Sequence, residues 1–317
     1  RTLLDYENHA SVNTSQARFC RLFGGCYGLI EAPKLPATVL ADYCYYSMFN
    51  TCINLANAPE LPATILTKSC YSNMFAYCES LTSTPYLPAK SLAEDCYAFM
   101  FRNCINLRKT FDLTATTLAV GCYRSMFRAC VNLEVAPDLS GIILAESCCN
   151  AMFYSCTNLK KAPNLPATTL ANGCYAIMFA ACKNLTTAPK LPATTLAPSC
   201  YYLMFTGAGL TDAPELPATS LESLCYHSMF RGCKSLEVAP ILPATTLSTA
   251  CYGYMFMDCL KLKNITMLAT DISAGDCLGN WVSGVASEGI FTKAKDMASL
   301  TEGNSGIPSG WIVKDEE

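Results

Sequence analysis

Apolar positions return along most of this chain in one fixed order. In the stretch CYAIMFAAC, the residues Cys174, Tyr175, Met178, Phe179 and Cys182 stand at offsets 0, 1, 4, 5 and 8, and the positions between them vary from copy to copy. Such offsets share one face of an α-helix, and the pattern predicts one. Asn or Ser just ahead of the cysteine, as in LANGC and LAPSC, supplies a helix start. The next stretch, NLTTAPKLPATTL, reads differently. Leu185, Ala188, Leu191 and Leu196 form its inward set, and Thr is frequent, as strands prefer. Pro189 and Pro192 cannot donate to a ladder, so the predicted strand is short and ends in a turn.

This order repeats. The first cysteine falls at Cys44, Cys70, Cys96, Cys122, Cys148, Cys174, Cys200, Cys225, Cys251 and Cys277, in steps of 26 with a single 25. Nine complete units follow from that spacing. A worn unit precedes them, with Leu22, Phe23, Cys26 and Leu29 where the next has Met48, Phe49, Cys52 and Leu55. A fixed period of this length marks a stacked array. One unit cannot cover its own apolar face, so neighbours must do so and special units must cap the ends.

The expected fold is α/β: a right-handed solenoid of about ten stacked 26-residue units, each with a short helix and a short parallel strand. It spans 18–285, with 1–17 as an N-terminal cap or the remnant of an upstream segment and 286–317 as a C-terminal cap. Cys174, Met178, Phe179, Cys182, Leu185 and Leu191 represent its core. In the cap, GIFTK and GWIVKD read as strands separated by turn residues, and Trp311 with Ile312 is expected to close the last open face.

At Phe179, Cys182, Leu185, Leu191 and Pro192 the chain resembles the F-x-x-C-x-x-L-x-x-I-x-I-P core of BspA-like leucine-rich repeats. The likeness runs from about Phe19 to Gly275, with a longer unit, an extra proline and a longer PATTL turn. The resemblance implies a leucine-rich-repeat solenoid and a bacterial cell-surface protein, some members of that family being adhesins for host matrix glycoproteins.

Composition narrows the function. The length of 317 residues would suggest about two domains, but an array grows in one dimension and this one reads as continuous. Basic and acidic residues, 22 against 25, are scattered without the basic face that nucleic-acid binding requires. No apolar run reaches the roughly 18 residues of a membrane span. The chain begins at Arg1 and reads as a processed form, so the lack of a recognisable leader carries no information on address.

The 21 cysteines suggest disulfides until geometry is considered. Eight positions along a helix is about 12 Å, neighbouring helices lie about 8 to 10 Å apart, and a bridge needs Cα atoms within about 7 Å. The unit at Cys200 has also lost its second cysteine while keeping its first. Both columns are therefore expected to be buried free thiols acting as small apolar groups, and Cys149 is drift in a tyrosine column. Zinc would need four convergent ligands at short spacing, so no metal is expected. The Met48 to Met255 and Phe49 to Phe256 columns read as core, with no cofactor.

Catalysis has no candidate residues. His9 and His227 are the only histidines, neither has a motif beside it, and no glycine-rich phosphate loop follows a strand. Recognition does have candidates, in the column that varies while the frame repeats: Lys34, Glu60, Tyr86, Asp112, Asp138, Asn164, Lys190, Glu215 and Ile241. On strands about 4.8 Å apart these would form one ladder. Asp112 and Asp138 would be neighbours, either bridged by a cation or solvated and pointing apart. Arg108, Lys109, Lys160 and Lys161 would line its rim, and Tyr46, Tyr77, Tyr86, Tyr154 and Tyr202 would be exposed rings for sugars or proteins.

Two functions are expected from this reading. One is a non-catalytic, surface-exposed or secreted binding module, adhesin-like, taking a host protein or glycan on the strand face. The other is a structural spacer or fibre component of a bacterial or phage surface, with self-association and no small ligand.

Overall fold

The computed structural model describes residues 17–297 and 300–316. The segment 1–16, with His9 and nearly all of the expected N-terminal cap, and Glu317 lie outside the described residues. Among the described residues there is no helix, and four short strands are the only regular elements. The expected helix-per-unit leucine-rich-repeat solenoid is therefore corrected: the stretch read as helix is a ribbon of overlapping turns.

The unit at Cys44 shows its construction. The N–H groups of Cys44, Tyr46, Met48, Asn50 and Cys52 each donate three residues back, to the carbonyls of Ala41, Tyr43, Tyr45, Ser47 and Phe49, at 3.0–3.2 Å. The intervening amides of Tyr43, Tyr45, Ser47, Phe49 and Thr51 donate instead to Lys68, Cys70, Ser72, Met74 and Ala76 of the next coil, at 2.8–3.0 Å. Every backbone donor in the ribbon is used, half in turns and half between coils. At Tyr43, Ser47 and Thr51 φ is 57°, 53° and 62°. A positive φ thus falls at the third position of every second turn, as in type II turns.

A four-residue period places offsets 0, 1, 4, 5 and 8 on one side as well as a helix does. The apolar pattern alone could not separate the two. What favours the ribbon is that some positive-φ positions hold Gly25, Gly121, Gly173, Gly207, Gly232 and Gly284 or Asn73, Asn103 and Asn280, among others that hold Ser, Ala and bulkier residues. Gly and Asn tolerate this region, and Gly is poor in a helix interior.

The chain divides into two compact units, Arg1–Pro163 and Asn164–Glu317. In the first, Phe23, Phe49, Phe75, Phe101, Phe127 and Phe153 stack at 5.5–5.7 Å between ring centroids, with interplanar angles of 3–8°. Tyr45, Tyr71, Tyr97 and Tyr123 form a second ladder at 5.8–6.0 Å. In the second unit the ladder from Phe179 through Phe205, Phe230 and Phe256 passes to Trp281 at 6.1 Å and then edge-on to Phe291 at 6.2 Å. Cys174, Met178, Phe179, Cys182, Leu185 and Leu191 are all buried here.

Prolines limit how far strands extend. In the first unit the ladder is reduced to single parallel bridges such as Glu31 with Asn57, Val39 with Ile65 and Ser83 with Lys109, because the APxLP segments between them lack two N–H donors per coil. In the second unit Pro308 is the only proline after Pro243, and toward this end a parallel sheet appears: β1 (Val238–Leu242), β2 (Asn264–Met267), β3 (Ile290–Lys293) and β4 (Ile312–Asp315), in that order. Pro240 lies within the one register shift, between Val238 and Ile241. β3 and β4 occupy the GIFTK and GWIVKD stretches. The cap is tied on by Trp281 Nε1 donating to the Gly306 carbonyl and Trp311 Nε1 to that of Ala286, both at 2.8 Å. Ile312, expected to close the end face with Trp311, is 63% exposed, whereas Trp311 is buried.

No disulfide joins any two of the described cysteines. The separation that helices would have imposed is absent: coils bonded in register are about 4.8 Å apart, inside the Cα range that a bridge tolerates, so spacing alone does not exclude one. In the second column the thiols are hydrogen-bond donors: Cys78, Cys104 and Cys130 Sγ donate to the carbonyls of Phe49, Phe75 and Phe101 at 3.1–3.2 Å. Burial pushes Cys44, Cys70, Cys78 and Cys122 up to about 12 from an ordinary 9.0. The unfolded chain ionises first, so the stability these groups contribute is full below 9.0 and is lost as pH rises from 9.0 toward 12. We expect a urea midpoint that is level through neutrality and falls above about pH 9. A midpoint unchanged at pH 10.5 would contradict the burial of these thiols.

Candidate recognition groove

The positions expected to carry a ligand are exposed wherever the structure places them. Lys34, Glu60, Tyr86, Asp112 and Asp138 lie in the first unit, and Asn164, Lys190, Glu215 and Ile241 in the second. For most of them the neighbours along the chain are the APxLP prolines, whose fixed rings leave furrows between successive coils. Lys34 and Glu60 line one of about 400 Å³ with Pro36, Pro59 and Pro62. In the second unit, Lys190 and Glu215 line one of about 320 Å³ with Pro189, Pro192, Pro214 and Pro217.

A groove of about 590 Å³ opens where the repeat departs from its own pattern. The coil KTFDLTAT carries Phe111 and Thr114 where its neighbour has Pro85 and Pro88. Phe111 has the N–H that proline lacks and donates it to Thr84 Oγ1 at 3.0 Å; Thr114 Oγ1 donates to the Leu87 carbonyl at 2.9 Å. These bonds hold the altered coil against the one before it and turn the Phe111 ring outward. Phe111 and Tyr86 are each 54% exposed and line the groove together with Pro59, Pro62, Pro85 and Pro88. Glu60 is the one ionic side chain of its lining. Of the groove residues, the sequence column contains Glu60 and Tyr86 but misses Phe111 and Thr84; the loss of both prolines from a single coil was the available signal.

Other candidates are set elsewhere. Tyr46, Tyr77, Tyr154 and Tyr202 are half-buried on the turn ribbon, and each is covered: Arg21, Arg102 and Arg128 lie 5.9, 5.5 and 4.6 Å from the rings of Tyr46, Tyr77 and Tyr154, and His227 stacks on Tyr202 at 5.3 Å. Tyr86 alone of the five is an open ring. His227 accepts or donates at Nδ1 with Ser228 Oγ, 3.1 Å away, and burial, with Arg231 nearby, holds it below its usual value. Asp138 Oδ1 accepts from Ser140 Oγ at 2.8 Å, and no group of three or more metal-ligating side chains occurs among the described residues. Lys160 pairs with Glu134 at 2.9 Å across two coils, an exposed rim contact of small energetic weight. No helix among the described residues is long and apolar enough to cross a membrane. The chain matches no protein-family model, no curated protein and no solved structure in the comparisons made, so its likeness to BspA-like repeats rests on the motif residues alone.

Proposed function

We propose that this chain is a non-catalytic binding module, secreted or displayed on a bacterial surface, which recognises a host protein segment or glycan on its APxLP face. The observation that carries this reading is the open Tyr86–Phe111 groove at the coil where the proline pattern is interrupted. A repeat kept only for length would have no use for two outward aromatic rings on adjoining coils. Concave, mostly apolar surfaces with a few polar groups are where ligands are usually held. The stacked ladders below the groove supply rigidity: its walls rise from coils bonded backbone to backbone, so little order has to be gained on binding.

The test is binding to a panel of immobilised host matrix glycoproteins and glycans, with Tyr86→Ala beside the parent chain. Saturable binding by the parent, weakened at least about tenfold by Tyr86→Ala, is expected for an aromatic anchor. If no panel member binds the folded parent, the near-identical coils favour the alternative of a spacer or fibre component.

A further inference from the structure

The lining of the Tyr86–Phe111 groove narrows what it takes. We infer that its ligand is a proline-rich polypeptide segment in the polyproline II conformation, carrying a basic side chain that meets Glu60. This inference rests on the groove being the recognition site.

The chemistry is that of the walls. Four proline rings and two open aromatic rings give a furrow that is ridged, stiff and mostly apolar. Extended proline-rich segments dock on aromatic-lined grooves of this kind, because both partners are already ordered before they meet. A sugar ring needs several convergent polar side chains around its aromatic platform. Here Thr84 is buried and its hydroxyl oxygen is engaged by the Phe111 amide, which leaves Glu60 and the Tyr86 hydroxyl. Glu60 also sets the charge: an exposed carboxylate beside an apolar furrow suits an Arg or Lys next to prolines.

The spacing agrees. The groove is lined by residues of three successive coils, at 58–62, at 84–88 and at 111. Two coil rises come to about 9.6 Å at a spacing near 4.8 Å. One turn of polyproline II is three residues at about 3.1 Å each, or about 9.3 Å. A ligand lying along the stack would therefore present the same edge at Pro59 and, one turn later, at Phe111, with Tyr86 against the residues between.

The experiment titrates the whole chain with a synthetic proline nonapeptide bearing a central Arg, following the Tyr86 and Phe111 ring signals by NMR. A Glu-for-Arg version and a Gly/Ser peptide of equal length are the comparisons. The Arg peptide should bind saturably, Tyr86→Ala should weaken it at least about tenfold, and Glu60→Gln should weaken it about threefold or more and remove most of its salt dependence. Equal binding of all three peptides, or peptide binding untouched by Tyr86→Ala, overturns the inference. Failure of the Arg peptide while a panel glycan or glycoprotein binds and is lost in Tyr86→Ala overturns the ligand class and leaves the groove as the site. Failure of both the peptide and the whole panel overturns the site as well. Tyr86 is half exposed, so unchanged circular dichroism is expected for its variant and separates lost binding from lost folding.

Discussion

Replacing Phe101 by alanine is expected to cost about 3 to 5 kcal/mol of stability, the range for a fully buried aromatic truncation. The Phe101 ring has no exposed surface and is stacked on both faces, against Phe75 and Phe127, at 5.7 Å each. Such a stack is worth about 0.5 to 1.5 kcal/mol beyond the area it buries. The hole left behind cannot close easily, because the flanking coils are pinned: the Phe75 amide donates to the Met100 carbonyl and the Phe101 amide to that of Met126, both at 2.9 Å. Urea denaturation would read the loss as a fall in midpoint, with Phe99→Ala, half-buried two residues earlier on the outer side, as a milder control. A change below about 0.5 kcal/mol for Phe101→Ala would remove the ring from the core.

The second large effect is expected at Gly209, in the one coil that is a residue short. There TGAGL replaces the usual C-x-x-L spacing, and Ala208 stands in the second cysteine column. The shortened loop lies directly on its neighbour, with the Gly209 amide donating to the Cys182 carbonyl at 3.2 Å. A Cβ at Gly209 would sit on the Lys183 carbonyl oxygen and 2.9 Å from its carbonyl carbon. Both are backbone atoms and cannot swing aside. Gly209→Ala should therefore cost up to about 3 kcal/mol, at the upper end for overpacking. Gly275→Ala, with open space around the added Cβ, should be near neutral. Equal melting temperatures for the two variants would contradict this packing of the short coil.

The period, the inward columns and the exposed variable column were all legible, because each depends only on which positions repeat. Met178, Phe179 and Leu185 are buried under any winding that keeps offsets 4, 5 and 11 from Cys174 on one side. The winding itself was not legible from that pattern, since a helix and a four-residue turn ribbon bury the same offsets. The distinguishing residues were the Gly and Asn found at some of the recurring positive-φ positions, such as Gly25, Asn73, Asn103 and Gly232, which a helix would not choose and a positive φ does. The tyrosines were misplaced for the same reason. In the ribbon, Tyr77 and Tyr154 fall beneath guanidinium groups of adjoining coils instead of standing free. The groove was half legible: Tyr86 belongs to the variable column, whereas Phe111 had to be recognised as a substitution in the proline column.

That substitution gives the most direct test of the account. Phe111→Pro with Thr114→Pro restores the APxLP pattern of the neighbouring coils, whose backbone already accommodates proline at these positions, and removes one aromatic wall. The restored chain should fold with an unchanged circular dichroism spectrum and lose panel or peptide binding at least about tenfold. Full-strength binding by the restored chain would contradict the central claim that the interrupted coil makes the site.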